Sequence, residues 1–319
     1  MSRKDFWPLL FITLGIAVFP IVAGGSEYSI SLLVFLGING LTTMGLSLLM
    51  GYAGQISLGH AAFYGIGAYS SGILTTKYSI HPLIAFLAGI FLSAIVAFLV
   101  GKPTLRLRGH YMAVATLGFG EILFILFNEL SPLTGGPSGL SGIPALTFLG
   151  QPIEGSAYLY LVWAFVILVL IFSLNLINSR VGRALRAVHG SELAANAMGV
   201  DASRYKVQVF VVSAIYASMA GSLYAHFVTF ISPSSFSLMF SILLLMMVVI
   251  GGTSTIWGSL LGAAVLTLLP EYLRAFEDFD VLVYGIILMV VLLFMPQGIL
   301  EGLRGFMERK RGSQSKSHE

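Results

Sequence analysis

"GRALRAVHGSELAANAMGVDASRYK" (residues 182–206) is a charged, helix-favouring stretch in a chain of 319 residues that is otherwise strongly apolar. Hydrophobic residues make up 57% of the chain and charged residues 10%, whereas soluble domains carry about 25% charged residues. Long continuous apolar runs lie on both sides of this stretch, and such runs are typical of membrane-spanning helices. The sequence therefore predicts an all-α, polytopic transmembrane helical bundle with a polar segment between two sets of spans.

The apolar runs give ten candidate passes, of which about eight to ten cross the membrane, some of them short or broken. They cover residues 8–24, 29–50, 60–76, 82–100, 109–130, 157–178, 207–230, 236–250, 258–273 and 281–296. The first pass follows Arg3 and Lys4, and we interpret it as a retained span rather than a signal peptide, because its apolar part is long and no cleavage site follows. The uncharged joints at 51–60 and 251–258 are either tight turns or breaks within re-entrant segments.

The basic residues are distributed unevenly over the predicted loops. If the N-terminus lies in the cytoplasm and ten passes alternate, only Lys77 and Arg274 of the 17 basic residues fall outside. The positive-inside rule therefore favours cytoplasmic N- and C-termini, and it explains the basic isoelectric point without nucleic-acid binding. The cytoplasmic set is Arg3, Lys4, Lys102, Arg106, Arg108, Arg180, Arg183, Arg186, Arg204, Lys206, Arg304, Arg309, Lys310, Arg311 and Lys316.

Catalytic and metal-binding motifs are missing from the sequence. There is no cysteine, and the six histidines are scattered without metal-ligand spacing. Gly101-Lys102 is followed by Pro103, so it does not form a phosphate-binding loop. We therefore predict no enzyme activity, no metal and no cofactor, and any ATP hydrolysis would belong to another chain.

Two polar features inside the apolar runs are candidates for a solute path. The glycine-rich stretch 51–72 is either a tight packing surface or a broken helix lining a cavity; its candidate path residues are Gly54, Gln55, Ser57, Gly59 and His60. Glu121 falls about 12 residues into the fifth pass, roughly 18 Å along the helix axis, with Thr116 five residues before it. A carboxyl group at that depth is either a structural group between helices or part of the path.

The opening stretch itself predicts a short helix at the membrane surface. Ser191 can cap its start, Glu192 suits its first turn and Gly199 can end it, while Asp201 or Ser203 can start the next helix. A basic loop would enforce topology without such a helix. An alanine-rich helix can also seat in a groove of a partner protein. The outer loop 131–156, rich in glycine, proline and serine, is a linker, a landing surface for a partner or a lid over the substrate path.

Four segments together resemble a known family. Residues 182–206, 51–74 ("GYAGQISLGHAAFYGIGAYSSGIL"), 111–123 ("YMAVATLGFGEIL") and 248–266 ("VVIGGTSTIWGSLLGAAVL") are similar to the signatures of ABC importer permeases of the branched-chain amino acid type, the LivM-like subunits. The resemblance covers about residues 30–300, so it implies a permease domain over 1–300 with its coupling loop at 180–206. Residues 301–319 would form a basic cytoplasmic tail.

The resemblance implies a multi-subunit importer in a bacterial or archaeal cytoplasmic membrane. A second LivH-like permease, two cytoplasmic ABC ATPases and an extracytoplasmic solute-binding protein are the implied partners, and branched-chain or related neutral amino acids are the implied solutes. The short helix would be the coupling helix, with the ATPase-coupling residues Arg183, Arg186, Glu192, Ala194, Ala195 and Gly199. The general importer motif has glutamate where this chain has Leu193, which puts transfer from maltose-type importers in doubt. An autonomous secondary carrier or channel remains the alternative.

Overall fold

The computed structural model describes residues 3–22, 26–105, 107, 109–148 and 151–273, together with positions 285, 286, 289, 293, 298 and 302. Helices dominate this part of the chain, and the predicted all-α membrane bundle is confirmed. The first five helices are α1 (Arg3–Val22), α2 (Glu27–Ser47), α3 (His60–Lys77), α4 (Pro82–Thr104) and α5 (His110–Glu129). A π-helical turn, Leu48–Tyr52, extends α2.

The second half of the chain begins with a folded connection and ends in a bent helix pair. A single turn, α6 (Ser131–Thr134), leads to the strands β1 (Leu140–Ser141), β2 (Thr147–Phe148) and β3 (Gln151–Pro152). The helices that follow are α7 (Gly155–Asn178), α8 (Arg180–Gly190), α9 (Glu192–Ala197) and α10 (Ala202–Val228). After β4 (Phe230–Ile231) come α11 (Leu238–Gly251) and α12 (Ile256–Leu273).

Five helices in the described part of the chain are long and apolar enough to cross a membrane: α2 with its π-helical turn, α4, α5, α7 and α10. The pair α11 and α12 is bent by 120° at its break, so it forms either a broken span or a re-entrant loop. Nine of the ten predicted passes coincide with described helices. The tenth, 281–296, lies almost wholly outside the described residues, as do Arg106, Arg108, Arg274 and the tail 301–319.

The bundle is built around α10, which packs closely on α3. A Cβ atom at Gly67 would overlap the backbone of Ser218, and one at Gly221 would overlap the carbonyl oxygen of Tyr64. Small residues at both positions therefore let the two backbones come together, as is common between membrane helices. On the outer side of α7, Tyr160 Oη donates a hydrogen bond of 3.2 Å to the Ala17 carbonyl, which attaches α1.

The loop 131–156 folds back on one end of the bundle. β1 pairs antiparallel with β4 in the register Leu140↔Ile231, and β2 pairs antiparallel with β3. His226, near the end of α10, holds the loop by its Nδ1 atom, 2.8 Å from the Pro144 carbonyl, while its Nε2 atom lies 2.7 Å from Ser71 Oγ. This loop is thus anchored to the bundle, and its use as a landing surface remains a prediction.

Candidate functional site

The predicted surface helix is present as α9, and side chains cap it as expected. Ser191 Oγ accepts a hydrogen bond of 3.3 Å from the Ala194 N–H at its start, and Gly199 adopts φ +80° just after its end. Asp201 starts the next helix, because its carboxylate accepts a hydrogen bond of 3.0 Å from the Arg204 N–H. The sequence signals for caps therefore located both ends of α9 and the start of α10.

One face of α9 is buried within the chain. Ala195 is 4% exposed and packs in a small apolar cluster with Val188 of α8 and Ala202 of α10. Glu192 forms an ion pair with Lys206, whose side chain is only 1% exposed. Together these contacts attach α9 to the two helices on either side of it.

The other face of α9 projects apolar side chains outward. Leu193 is 68% exposed, and Met198, the residue that directly follows α9, is 84% exposed. Ala194 and Ala197 lie exposed between them. Sequence reasoning did not select Leu193 or Met198, although two large apolar residues in a polar loop were the available signal. Of the predicted coupling residues, Arg183, Arg186, Ala194 and Gly199 are exposed, whereas Ala195 points inward. Arg186 Nη1 donates a hydrogen bond of 3.0 Å to the Ile177 carbonyl of α7.

Helix α8, the 51–60 joint and the break between α11 and α12 meet at the same end of the bundle, which we call the α9 end. His189 of α8 lies with its Nδ1 atom 2.9 Å from the Gly51 carbonyl oxygen. A Cβ atom at Gly51 would overlap the Thr253 carbonyl oxygen, and Tyr52 Oη donates a hydrogen bond of 3.2 Å to the Ser254 carbonyl. The 51–60 joint therefore touches both α8 and the break between α11 and α12.

The two joints left open by the sequence have different structures. At 51–60, the π-helical turn is followed by a non-helical link, residues 54–59, that connects two full helices. At 251–258, the helices α11 and α12 are separated by only four residues and bent by 120°. Neither outcome follows from hydropathy, because both joints are uncharged and rich in small residues.

Most of the predicted path residues of the 51–60 joint form a packed polar cluster. His60 is 1% exposed; its Nδ1 atom lies 3.0 Å from Ser57 Oγ and its Nε2 atom lies 2.5 Å from Ser213 Oγ. The buried Gln55 side chain donates a hydrogen bond of 3.1 Å to the Ala53 carbonyl. The His60–Ser213 contact joins α3 to α10, whereas the Gln55 hydrogen bond stays within the 51–60 joint. A role in the path remains a prediction for these residues.

Thr116 and Gly59 bring α5 against the same cluster. Thr116 is fully buried, and its hydroxyl oxygen accepts a hydrogen bond of 3.0 Å from the Leu58 N–H. A Cβ atom at Gly59 would lie 2.6 Å from the Thr116 carbonyl oxygen. Gly54 lies apart from them, exposed, with φ +65° and beside the His189 ring.

Glu121 is the ionisable residue among the predicted path residues that the structure leaves accessible. It is exposed on α5, at the edge of a small cleft. Between Thr116 and Asn128 the helix is otherwise apolar, and only Met112, Thr116 and Phe127 are buried along its length. The residues that line the cleft with Glu121 are Leu58, Ala61, Leu117, Gly120, Phe236, Ser237, Leu238 and Ser241.

In the described ranges, no group of three or more His, Asp or Glu side chains could hold a metal ion.

The fold and these surfaces define a class of protein: a polytopic helical membrane protein with a capped, outward-facing helix at one end. Comparison with known families places it further, because the family "Branched-chain amino acid transport system / permease component" matches residues 28–292. The chain belongs to this family of membrane transport permeases. No solved structure matches it.

Curated relatives carry permease names from branched-chain amino acid transport. The chain is 34% identical to the high-affinity branched-chain amino acid transport system permease protein LivM of Salmonella typhimurium, over 84% of this chain and 69% of that protein. It is 33% identical to LivM of Escherichia coli over 85% of this chain and 69% of that protein. LivH of Salmonella typhimurium is also similar, at 26% identity over 82% of this chain and 90% of that protein.

Proposed function

We propose that this chain is a permease subunit of an ATP-driven importer for branched-chain or related neutral amino acids. α9 is the helix through which cytoplasmic ATPases drive it. The observation that carries the proposal is the outward projection of Leu193 and Met198 from a short helix at the polar end of the bundle. Exposure of large apolar side chains to water is unfavourable, and such residues on a short helix are typical of a surface that binds in a groove on a partner protein.

The attachment of α9 supports a mechanical role. The Glu192–Lys206 ion pair and the burial of Ala195 hold α9 against α8 and α10. A force on α9 therefore reaches α10, the helix around which the bundle packs. Through the hydrogen bond between His189 and Gly51, α8 also connects to the joint between α2 and α3.

The exposed face of α5 supports a second permease as a partner. Tyr111, Val114 and Ile122 are each more than 60% exposed on this helix, and Glu121 lies on it near the middle of the span. A carboxylate at that depth is costly in lipid and normally faces protein or water. A related permease packed opposite this face would enclose Glu121 in a path between the two subunits.

The positions of the basic residues support the orientation. Arg180, Arg183, Arg186 and Arg204 lie at the α9 end with Lys102 of α4, so the positive-inside rule places this end in the cytoplasm. The ATPases would bind there. A solute-binding protein would then deliver its solute at the opposite end, where the loop 131–156 is anchored.

Neutral amino acids fit the few polar groups that this surface offers. The LivM and LivH relatives are named for branched-chain amino acids. The Glu121 carboxylate would bind the ammonium group of such a solute. The apolar side chain of the solute would contact the apolar face of α5. No second acidic group lies on the exposed part of this helix until Glu129 at its end.

The energy source tests the proposal most simply. Uptake of labelled leucine, isoleucine and valine is measured in cells that produce this chain together with its partners. Depletion of ATP should stop uptake, whereas an ionophore that removes ion gradients at constant ATP should leave it largely intact. Uptake that survives ATP depletion and collapses with the ionophore would instead indicate a secondary carrier.

A further inference from the structure

A cavity of about 720 Å³, which we call the wedge, lies at the α9 end between α4, α7, α8 and α10. Its size is within the roughly 300–1,000 Å³ of pockets that hold small organic ligands. The wall residues come from four helices: Phe98 and Lys102 of α4, Leu176 of α7, Val181 and Leu185 of α8, and Asp201, Ser203, Arg204, Val207, Gln208, Val209, Val211 and Val212 at the start of α10.

One contact between α4 and α7 lies in the outer part of the bundle. Phe86 near the start of α4 contacts Phe165 of α7, with ring centroids 5.3 Å apart. Toward the α9 end, Phe98 and Lys102 of α4 and Leu176 of α7 line the cavity instead. Phe98, in the wall of this opening, is 51% exposed.

The wall of the wedge is divided into an apolar part and a charged rim. Val207 and Val211 lie one turn apart on α10 and face the cavity deeper in the bundle. Lys102 and Arg204 lie at its open end, both exposed. Within the described residues neither cation forms an ion pair. The one carboxylate of the wall, Asp201, accepts a hydrogen bond from the Arg204 N–H at the start of α10.

We propose that this wedge binds one anionic phospholipid of the cytoplasmic leaflet. An acyl chain would lie against the valine-rich face of α10 between α4 and α7, and the phosphate group would lie between Lys102 and Arg204. Basic pockets between membrane helices on the cytoplasmic side are suited to anionic headgroups. The level of the two cations, at the ends of apolar helices, matches the headgroup region rather than the hydrocarbon core.

Such a lipid would contact α8 and α10, the two helices that hold α9. Arg204 lies in the first turn of α10, two residues before Lys206, and Leu185 lies on α8. The site goes beyond the proposed function, because it does not depend on the solute or the energy source. Lipid binding and uptake are therefore measured separately.

Photo-cross-linking in the membrane tests the proposal. The full chain, with the proteins that accompany it, is placed in vesicles containing phosphatidylglycerol with a diazirine in its acyl chain, and labelled residues are mapped by mass spectrometry. We expect adducts within 207–212. Lys102→Gln and Arg204→Gln should each lower this labelling about five-fold, from the contribution of one basic group near an anionic lipid. Arg180→Gln, at the same end but outside the wedge, should not change it.

Two further measurements distinguish an anionic phospholipid from other occupants of the wedge. A phosphatidylethanolamine probe with the same acyl chain should label 207–212 much less than the phosphatidylglycerol probe. Equal labelling by both probes, unaffected by Lys102→Gln and Arg204→Gln, would overturn the proposal in favour of an unselective apolar crevice. Absence of lipid adducts together with cross-linking of Val211→Cys to a partner protein would overturn it in favour of a protein contact. The two charge variants change exposed side chains, so they test the site without altering the packed core.

Discussion

Glu192, the first residue of α9, forms an ion pair with Lys206, which lies in the second turn of α10 and is almost completely buried. The two residues are fourteen positions apart and bracket α9 and its link to α10. A buried ammonium group is stable only with a partner, so this pair fixes where α9 sits on the bundle. The geometry explains how a helix of six residues can keep a defined position at a membrane surface.

Removing one member of this pair should loosen α9. Glu192→Gln leaves Lys206 buried without its carboxylate, at a cost of about 2 kcal/mol or more in the local stability of the segment. Hydrogen exchange of the amides of 192–206 should accelerate accordingly, while exchange in α3 stays unchanged. The double variant Glu192→Gln/Lys206→Met removes both charges and should exchange more slowly than Glu192→Gln alone. Equal protection in wild type and Glu192→Gln would contradict this role of the pair.

The outward face of α9 should be needed for coupling but not for folding. Leu193→Arg and Met198→Arg change side chains that contact little within the chain, so the protein should reach the membrane in normal amounts. Uptake of labelled leucine should be lost, and so should stimulation of the ATPases by solute. Leu107→Arg places the same charge on another exposed apolar residue and serves as the control. Normal uptake by both α9 variants would show that this face does not drive transport.

Ala195 should respond differently from its exposed neighbours. Because it is buried against Val188 and Ala202, Ala195→Arg forces a charge into a small apolar cluster and should displace α9 itself. Proteolysis within 190–200 should therefore increase for Ala195→Arg but not for Ala194→Arg. Equal resistance of the two variants would mean that Ala195 is not packed as described.

Glu121 should contribute to uptake through its charge. Glu121→Gln keeps the size of the side chain and removes a charge-assisted hydrogen bond to the solute ammonium group, which corresponds to roughly a tenfold rise in KM for uptake. Glu129→Gln, a carboxylate at the end of the same helix, should remain close to wild type. Uptake by Glu121→Gln with unchanged KM would instead assign Glu121 a structural role.

Gly51 should not tolerate a side chain. A Cβ atom there would overlap the Thr253 carbonyl, so Gly51→Ala must separate the 51–60 joint from the break between α11 and α12. We expect a lower thermal unfolding temperature of the purified protein and reduced uptake. Gly15→Ala, where a Cβ atom meets nothing within 4 Å, is the matched control and should not lower either value. A Gly51→Ala protein as stable as Gly15→Ala would contradict the close contact of the two joints.

The sequence predicted those features that local patterns determine. Continuous apolar runs gave the long helices, and the cap residues Ser191, Gly199 and Asp201 gave the boundaries of α9 and the start of α10. These signals are local, because each depends on neighbouring residues in the chain.

Pairings between distant residues were not predictable. His60 meets Ser213 across 153 positions, and Lys206 was interpreted only as a topology-setting charge, although it anchors Glu192. The spacing of these residues along the chain does not indicate that they pair. The inward direction of Ala195 likewise depends on how α8 and α10 cross, which composition does not determine. Glu121 was found because a lone carboxylate in an apolar run is conspicuous, but its exposure required the three-dimensional arrangement of α5.

The most direct test of the account is a cross-link from α9. The chain contains no cysteine, so Met198→Cys introduces a single thiol, which can be labelled with a photoreactive benzophenone in the native membrane and the adduct identified by mass spectrometry. The account predicts an adduct between residue 198 and a nucleotide-binding ATPase, with a yield that changes when ATP is added. A benzophenone at 198 that cross-links to no ATPase, in membranes where uptake is active, would contradict the claim that α9 couples this permease to ATP hydrolysis.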